Sequence, residues 1–494
     1  MYIVGIDIGT SAAKTAAYDL EGNTVAQSSY QYPLYQPHNG WAEQDPHDWW
    51  DAVCFTLRDV TSKIDSSQIA GVGFSGQMHG LVMLDKDDRV IRPAIIWCDG
   101  RTAQECDEIN EIVGRDSLID ITASLALSGF TASKIRWVMK NEPDNYKKCR
   151  RILLPKDYIR FRLGGDYFTD ASDASGMQLL DIRKRQWSDT VCDKLGIDIS
   201  LLSQVRESPE AVSSVSSEAA RLTGLKEGTI LAAGAGDNAA AAVGTGVIYD
   251  GKAFTTIGTS GVVYKHQKKF AMDRETRIHT FCSPVPGEYH TMGVTQAAGL
   301  SLQWFRKNFA PDSEYSELDH KAAGIGIGSD RLIYLPYLMG ERTPHLDPFC
   351  RGVFFGLSAV HSYEHMYRAV LEGVGFSLLD AYEIVSGVGT QINGMSICGG
   401  GAKSPLWRQM VADMFNIGVA DMSKGGGACL GAAILGGVAG GAYPDLYTAC
   451  HSAIKEGDIC MPDAERNAEY RAFYRIYKDI YMSLKDDFRK LASV

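Results

Sequence analysis

The tetrapeptide Ile-Gly-Thr-Ser occurs twice in the chain, each time as a turn between two segments of strand-forming residues. The first copy joins a predicted strand over Tyr2–Asp7 to a second one over Lys14–Tyr18. The second copy has the same strand-turn-strand setting within Phe254–Tyr264. Four shared residues can coincide by chance, but the shared setting favours a duplicated structural unit.

The spacing of the two turns predicts the domain organisation. Gly258 lies 249 positions after Gly9, close to half of the 494 residues. A chain of this length exceeds the size at which a single hydrophobic core stops growing. We therefore expect two domains of similar design, residues 1–249 and 250–494, joined near 244–251 and separated by a deep cleft.

Alternating strand and helix patterns predict an α/β fold. Ile69–Phe74 is a strand candidate that runs into a loop, and residues 366–381 place apolar side chains on one face of a helix. An aromatic stripe over 470–488 has the same helical spacing and is typical of core packing. We expect mostly parallel sheets covered by helices, with the functional site in loops at strand ends.

Composition and charge exclude several function classes. The formal net charge is -11 and no long basic run occurs, which argues against a nucleic-acid surface. The 11 cysteines occur without a Cys-x-x-Cys pair, as expected in a reducing compartment. Residues 1–9 lack the basic region of a signal peptide, and the apolar stretch 230–243 is too short to cross a membrane. These features predict a cytoplasmic protein with small-molecule partners.

The two repeated turns are candidate phosphate-binding loops. Glycine lets the backbone approach a ligand closely, and Thr and Ser add hydroxyl donors. The candidates are Gly9, Thr10 and Ser11 in the first turn, and Gly258 and Thr259 in the second. Two such turns facing each other would hold a triphosphate. The alternative is that each is only a hairpin turn.

A third glycine-rich loop is a candidate nucleotide-binding loop. The predicted strand Ser396–Cys398 leads into Gly399, Gly400 and Gly401, and Ser404-Pro405 has the pattern of a helix N-cap and first helical residue. A glycine turn before a helix N-terminus favours a ribose or a phosphate. An unliganded strand-to-helix turn remains the alternative.

Two aspartates are candidates for the chemistry. Asp237 follows a glycine-lined strand end, where a carboxylate could take the proton of an alcohol during phosphoryl transfer. Its alternative role is a helix N-cap. Asp7 ends the first strand and would approach Mg²⁺ bound to the phosphates, with water in between. For Asp7 the alternative is a turn-stabilising side chain.

Other residues suit a polyhydroxylated ligand. The loop Gln77-Met78-His79 offers an apolar cover and a hydrogen-bonding imidazole, and Trp97 adds an aromatic face.

Residues 361–365 match the His-x-x-Glu-His pattern of some zinc peptidases. No third ligand is evident, so a polar first turn of a helix is the better interpretation.

The chain resembles the FGGY family of carbohydrate kinases, in order and over nearly its whole length. The matching segments are Ile6–Ser11 with Lys14, Trp41–Pro46, Gly76–Gly80, Trp97–Arg101, Leu154–Tyr158, Gly236–Asn238, Gly258–Gly261, Gly340–His345 and Gly399–Ala402. The resemblance implies two actin-like ATPase domains of the ribonuclease-H-like fold, which close on MgATP and a sugar. It also allows a homodimer, because many members of the family associate.

The same resemblance assigns roles to residues. Asp237 matches the catalytic base, and Met78 and His79 match residues that hold the sugar. Gln77, Asp7 and Trp97 fall on the sugar side. The nucleotide side receives Gly9, Thr10, Ser11, Lys14, Gly258, Thr259, Gly400 and Gly401. The expected reaction is phosphorylation of D-xylulose at its 5-hydroxyl, and the alternatives are another ketose or polyol, or a sugar-independent actin-like ATPase.

Overall fold

A computed structural model describes residues 1–423 and 425–494 of the protein. The strands are β1 (Tyr2–Ile8), β2 (Ala12–Tyr18), β3 (Thr24–Gln31), β4 (Glu43–Gln44), β5 (Ile69–Gly76), β6 (Val82–Leu84), β7 (Ala94–Ile95), β8 (Arg151–Leu153), β9 (Phe168–Asp170), β10 (Leu180–Asp181), β11 (Gln186–Trp187), β12 (Gln204–Arg206), β13 (Ala211–Ser214), β14 (Ile230–Ala232), β15 (Ala235–Gly236), β16 (Lys252–Ile257), β17 (Gly261–Gln267), β18 (His279–Cys282), β19 (Tyr289–Thr295), β20 (Ile333–Leu335), β21 (Val353–Phe355), β22 (Gly394–Cys398), β23 (Val419–Asp421) and β24 (Ile459–Cys460).

The helices are α1 (Pro46–Thr61), α2 (Ala103–Val113), α3 (Arg115–Thr122), α4 (Thr131–Asn141), α5 (Pro143–Lys148), α6 (Pro155–Gly164), α7 (Ala171–Ala174), α8 (Asp189–Leu195), α9 (Ser217–Thr223), α10 (Asp237–Gly244), α11 (Gly299–Phe309), α12 (Tyr315–Ala323), α13 (Tyr363–Gly387), α14 (Pro405–Phe415), α15 (Gly427–Ala439), α16 (Leu446–Ala453) and α17 (Ala464–Ala492). Among the described residues, no helix combines the length and apolar character needed to cross a membrane.

Both predicted hairpins form. β1 pairs with β2 in antiparallel register, and β16 pairs with β17 in the same way. In the first turn the Gly9 N–H donates to the Ala12 carbonyl at 3.0 Å, and in the second the Gly258 N–H donates to the Ser260 carbonyl at 3.0 Å. The strand-turn-strand prediction is confirmed at both places.

Two large sheets have matching strand orders. Written from the same end, the first runs β3-β2-β1-β5-β14-β13, and the second runs β18-β19-β17-β16-β22-β23-β24. The second sheet therefore repeats the order of the first and adds β18 at one edge. In each sheet an antiparallel hairpin is followed by strands parallel to its first strand, β5 in one sheet and β22 in the other. The expectation of mostly parallel sheets was therefore wrong: the sheets are mixed, because each hairpin must pair antiparallel.

Helix α15 from the second half of the chain packs on the first sheet. A Cβ on Gly73 of β5 would lie 1.8 Å from the Ala432 carbonyl oxygen, so helix and strand backbones touch. α15 meets α10 as closely, since a Cβ on Gly431 would lie 1.8 Å from the Ala240 carbonyl oxygen. This contact fixes α10, the helix that begins at Asp237.

The predicted aromatic stripe is part of the core. Tyr470, Tyr477, Tyr481 and Phe488 of α17 are buried, and they pack in the cluster that surrounds α13. The helix predicted over 366–381 lies within α13. Both sequence interpretations are confirmed.

Candidate active site

Three neighbouring strands of the first sheet bring the two candidate carboxylates to one edge. Asp7 of β1 is paired with Ser75 of β5, and Ser75 is paired with Ala235 of β15. The Ser75 hydroxyl donates to Asp7 Oδ1 at 2.7 Å. Asp237 follows β15 directly as the first residue of α10. The ends of these strands therefore place Asp7 and Asp237 side by side.

Burial raises the pKa of both aspartates, and the charge of Asp7 adds to the rise at Asp237. Burial, followed by the charge of Asp7, raises the pKa of Asp237 to about 7, and hydrogen bonds from Asn238 oppose the rise. Burial also raises the pKa of Asp7, against the effects of the Ser75 hydrogen bond and the Lys14 charge. Asp237 thus changes protonation near neutral pH, as a general base requires.

Asp237 is not a helix cap. Gly236 occupies the N-cap position of α10. Among the described residues, Asp237 Oδ1 accepts only from its neighbour Asn238, through the main-chain N–H at 2.7 Å and the side-chain amide at 2.9 Å. Its carboxylate does not satisfy the first-turn N–H groups that a capping side chain would bind. The geometry leaves the carboxylate available for a ligand.

The Gln77-Met78-His79 loop continues from β5 along the same edge. The Gln77 N–H donates to the Ile8 carbonyl at 2.8 Å, and Gln77 Nε2 donates to Gln44 Oε1 at 2.7 Å. Gln77 Oε1 is buried and has no hydrogen-bond partner among the residues that the structure describes. Met78 packs against Gly236, where a Cβ would lie 2.9 Å from the Met78 sulfur. The loop therefore lies directly against the segment that ends in Asp237.

His79 is held neutral in a fixed orientation. Its φ of 69° is in the left-handed region, and its ring stacks on Phe130 at 4.5 Å between centroids. Nδ1 lies 2.8 Å from the Gly176 carbonyl oxygen, so Nδ1 carries the proton and Nε2 is an acceptor. Burial, followed by the charge of Lys134, holds the pKa of His79 well below its ordinary value.

Trp97, predicted on the sugar side, contacts the first turn, which is predicted to bind phosphate. Its indole N–H donates to Thr10 Oγ1 at 2.9 Å. The Gly9 carbonyl accepts from the Tyr32 hydroxyl and from Gln77 Nε2, the latter at 3.4 Å. Ser11, at the tip of the turn, is exposed. The structure thus gathers Asp7, Gln77, Met78, His79, Trp97 and Asp237 around the first turn.

The second turn and the third glycine loop line one cavity. Its volume is about 560 Å³, and the walls are formed by Ile257, Gly258, Thr259, Gly299, Leu302, Gln303, Tyr315, Ser316, Asp319, Tyr367, Gly400, Gly401, Lys403, Ser404, Pro405 and Trp407. Ser404 caps α14, with its hydroxyl accepting from the Trp407 N–H at 3.1 Å. The four sequence-predicted nucleotide residues of the second half therefore meet at one place.

Lys14 lies elsewhere. It is paired with Asp7 across β1 and β2, and its side chain lines a different cavity of about 620 Å³ together with residues such as Tyr18 and Gly425. The structure therefore separates Lys14 from the cavity beside Gly258.

Sequence reasoning missed several residues around these sites. Leu302 and Tyr315 belong to helices that carry no recognisable motif, so nothing in the sequence marked them as cavity walls. Lys134 and Arg342 lie close enough to His79 to lower its pKa. Arg342 stands in the matched segment Gly340–His345, which was the available signal.

The zinc-like pattern is a helix start. Ser362 is the N-cap of α13, and His365 Nδ1 lies 3.2 Å from the Ser362 main-chain N–H, completing a capping box. His361 Nε2 lies 3.0 Å from the Asp330 carbonyl oxygen. The described residues contain no group of three or more His, Cys, Asp or Glu arranged to hold a metal ion.

Two sheets of matching strand order, joined by closely packed helices and flanked by these two regions, define the actin-like ATPase architecture. Comparison with known proteins narrows this class. The N-terminal domain of the FGGY family of carbohydrate kinases matches residues 2–244, and the C-terminal domain of that family matches residues 253–440. The chain belongs to the FGGY family and is a carbohydrate kinase.

Individual relatives span the whole chain. A xylulose kinase of Bacillus subtilis is 40% identical over 487 residues, covering 98% of this chain and 97% of its own. The structure of a xylulose kinase from Lactobacillus acidophilus has a TM-score of 0.94 at 28% identity, with 99% of each chain covered. A gluconate kinase from the same organism has a TM-score of 0.93 at 28% identity, again with 99% of each chain covered.

Proposed function

We propose that this protein transfers the γ-phosphoryl group of ATP to the 5-hydroxyl of D-xylulose, giving D-xylulose 5-phosphate in pentose catabolism. Curated relatives named xylulose kinase, at up to 40% identity over nearly the full length, support this acceptor. The observation that carries the chemistry is the half-buried Asp237 carboxylate beside Asp7, with a pKa of about 7.

Asp237 acts as the general base. Its carboxylate takes the proton of the 5-hydroxyl while the hydroxyl oxygen forms a bond to the γ-phosphorus and the bond from that phosphorus to the ADP oxygen breaks. Proton removal of this kind contributes roughly 10²–10⁴-fold in rate. Most of the remaining acceleration comes from positioning and from stabilising the charge on the phosphoryl group.

The loop next to Asp237 holds the sugar. The unprotonated Nε2 of His79 accepts a hydrogen bond from a sugar hydroxyl, and Met78 covers the apolar face of the carbon chain. Gln77 contributes its unpartnered Oε1 as an acceptor. Trp97 forms the wall between the sugar and the first turn.

The nucleotide lies between the turns. The 560 Å³ cavity suits adenosine, because glycines and the apolar faces of Leu302 and Trp407 form its walls. Gly258 and Thr259 receive the phosphates on one side, and Gly9, Thr10 and Ser11 receive them on the other. Lys14 approaches the phosphates when the two halves of the molecule close.

The residues at the strand edge fit a magnesium ion. Two half-buried carboxylates with raised pKa values are a natural place for a cation, and Mg²⁺ needs few protein ligands because it keeps several waters. Asp7 would hold the ion, mostly through water. When bound, Mg²⁺ neutralises charge on the phosphates. Asp237, with its proton-accepting role, faces the sugar.

The wider context of the enzyme follows from the same assignment. We place the reaction in the cytoplasm, where ATP and phosphorylated sugars are held, and the two domains at residues 1–249 and 250–494. Closure of the domains on the sugar excludes water and limits wasteful ATP hydrolysis.

The test is ADP release from MgATP by the purified protein, with D-xylulose, D-ribulose, L-ribulose, L-xylulose, glycerol and D-gluconate offered one at a time beside a control without sugar. We expect strong dependence on D-xylulose. Gluconate belongs in the series because a gluconate kinase has nearly the same fold. A different preferred sugar would overturn the acceptor, and turnover indifferent to every sugar would overturn kinase function in favour of a sugar-independent ATPase.

A further inference from the structure

Arg342 presents an unpaired guanidinium where the two halves of the chain meet. It lies in the loop between β20 and β21, and its side chain forms no hydrogen bond or ion pair with any residue that the structure describes. Its Nη2 lies 3.2 Å from the position that a Cβ on Gly129 would take. Burial disfavours the Arg342 cation, and the charge of the adjacent Glu341 opposes this effect without forming an ion pair with the guanidinium. A half-buried cation without an ion-pair partner is costly, so we infer that a ligand supplies one.

The loop that carries Arg342 is firmly held. Glu341 Oε1 accepts from the N–H groups of Gln296 and Arg342, both at 2.8 Å. The Thr343 N–H donates to the Val294 carbonyl at 3.1 Å, and the Val294 N–H donates to Thr343 Oγ1 at 3.1 Å. Arg342 is therefore a positioned group and not a loose surface side chain.

The facing wall belongs to the sugar side. The Lys134 ammonium donates to the His79 carbonyl at 2.7 Å and to the Gly129 carbonyl at 2.8 Å, which ties these two backbone segments together. A Cβ on Gly129 would also lie 2.8 Å from the Trp97 carbonyl oxygen. Glycine at 129 thus leaves the space in which the guanidinium lies, next to two residues assigned to the sugar.

Charge effects place Arg342 close to His79 and His279. The positive charge of Arg342 helps to lower the pKa of His79 and of His279, behind the larger effect of burial. The pKa of Asp237 responds instead to burial, Asp7 and Asn238. Met78 packs on Gly236 next to Asp237, and Lys134 ties the His79 carbonyl to the Gly129 carbonyl beside Arg342. An acceptor with its 5-hydroxyl at Asp237 therefore extends past Met78 and His79 toward Arg342.

We propose that Arg342 determines acceptor specificity by donating hydrogen bonds from its guanidinium to O1 and O2 of the ketose. This proposal rests on the proposed function, since it uses the 5-hydroxyl at Asp237 to orient the sugar. The planar fork of a guanidinium matches two oxygens on adjacent atoms, such as the 1-hydroxyl and the 2-carbonyl of a ketose. Because Arg342 comes from the second half of the chain, its contact also couples acceptor binding to domain closure.

The experiment compares D-xylulose with 1-deoxy-D-xylulose in the wild type, Arg342→Met and Arg342→Lys. We expect Arg342→Met to raise the KM for D-xylulose about 10- to 100-fold with kcat changed little, because the bonds lost exist before the chemical step. In the wild type, loss of O1 should lower kcat/KM by at least about fivefold; in Arg342→Met the further loss should stay within about twofold. Arg342→Lys, which keeps the charge without the fork, should lie in between.

The controls separate folding and the proposed function from the role of Arg342. Arg351→Met changes an exposed arginine of the same loop, whose side chain bonds only the nearby Pro348 and Cys350 carbonyls, and should leave both sugars unaffected. Thermal unfolding reports folding, and if Arg342→Met does not fold, Arg342→Lys carries the comparison. No sugar-dependent turnover in the wild type would refute the proposed function together with this one. Normal wild-type turnover with an equal loss on O1 removal in wild type and variants would refute the role of Arg342 alone.

Discussion

At the scale of single residues, the raised pKa of Asp237 suits a general base but lowers the stability of the folded protein. An ordinary Asp has a pKa near 3.9, whereas burial and the neighbouring Asp7 raise that of Asp237 to about 7. Keeping the carboxylate ionised in the folded protein therefore costs free energy. Active sites commonly retain such unfavourable groups because the reaction needs them.

Replacing Asp237 by Asn should separate these two effects. Asp237→Asn keeps the shape of the side chain but cannot accept a proton, so kcat with D-xylulose should fall at least about 100-fold while ATP binding persists. At pH 8 the free energy of unfolding of the variant should be about 1–3 kcal/mol higher than that of the wild type, because a charge that burial disfavours is lost. Its unfolding temperature should rise accordingly. This gain should vanish toward pH 4. The carboxyl ionises above about pH 4 in the unfolded chain but only above about pH 7 in the folded protein, so the stability penalty builds up between these two pH values.

The pH profile of the wild type belongs to the same prediction. Because the base must be unprotonated, kcat/KM should fall about tenfold per pH unit below pH 7, and the fall should be absent from the residual activity of Asp237→Asn. Steady-state kinetics between pH 5.5 and 8.5 measure it. A flat wild-type profile, or near-normal turnover by Asp237→Asn, would remove Asp237 from the mechanism.

At the scale of elements, the glycine loop before α14 shows how neighbouring glycines serve different ends. Gly400 lines the cavity, and a Cβ there would meet no described atom within 4 Å. A Cβ on Gly401 would lie 2.5 Å from Ile257 Cγ2 and 2.8 Å from Trp407. Gly400 thus keeps the cavity open, and Gly401 allows the loop to pack on β16.

Valine substitutions at the two positions form a matched pair. Gly400 has a φ of −62°, which valine also adopts, so Gly400→Val should fold normally and raise the KM for ATP about tenfold or more by filling the cavity. Gly401→Val should instead lower the free energy of unfolding by about 1–3 kcal/mol through overpacking. ATP titrations and denaturant unfolding of both variants test this. A destabilised Gly400→Val with unchanged ATP affinity would contradict the assignment of the cavity.

At the scale of the whole molecule, α15 connects the halves. This helix comes from the second half of the sequence but packs on β1 and β5 of the first sheet and on α10. The contacts are made backbone to backbone, which only small residues permit. A change in the α10–α15 contact should therefore reach Asp237, at the start of α10.

Gly431→Ala tests this connection at a distance from the chemistry. Its Cβ would lie 1.8 Å from the Ala240 carbonyl oxygen, so α10 and α15 must move apart. We expect kcat to fall about 10- to 100-fold, because small displacements of catalytic groups are costly, with little change in the KM for ATP. Gly387→Ala is the control, since its Cβ meets nothing within 4 Å at the end of α13. Equal kcat for the two variants would show that the helix contact does not position Asp237.

Much of the fold and part of the site could be predicted because their signals are local. The two Ile-Gly-Thr-Ser turns, the helix start at Ser404-Pro405 and the apolar period of α13 depend on propensities and spacing within a few residues. Asp237 was found in the same way, from a glycine-lined strand end before a helix. The order of strands beyond each hairpin depends on pairing between distant segments, which local patterns do not reveal. For this reason the prediction of mostly parallel sheets was wrong, and the sheets are mixed.

What only the tertiary structure decided are contacts between distant segments. The buried Lys156 ammonium lies 2.6 Å from Asp157, 2.8 Å from Asp170 and 3.3 Å from Asp173. Lys156 and Asp157 stand in the matched segment Leu154–Tyr158, but no motif marks Asp170 and Asp173 as their partners. The pKa of Asp237, the separation of Lys14 from the nucleotide cavity and the free guanidinium of Arg342 likewise depend on which groups meet in space. The sequence determined the turns, the helix ends and the family; burial and long-range proximity, which no short window of residues encodes, determined the charges of the site.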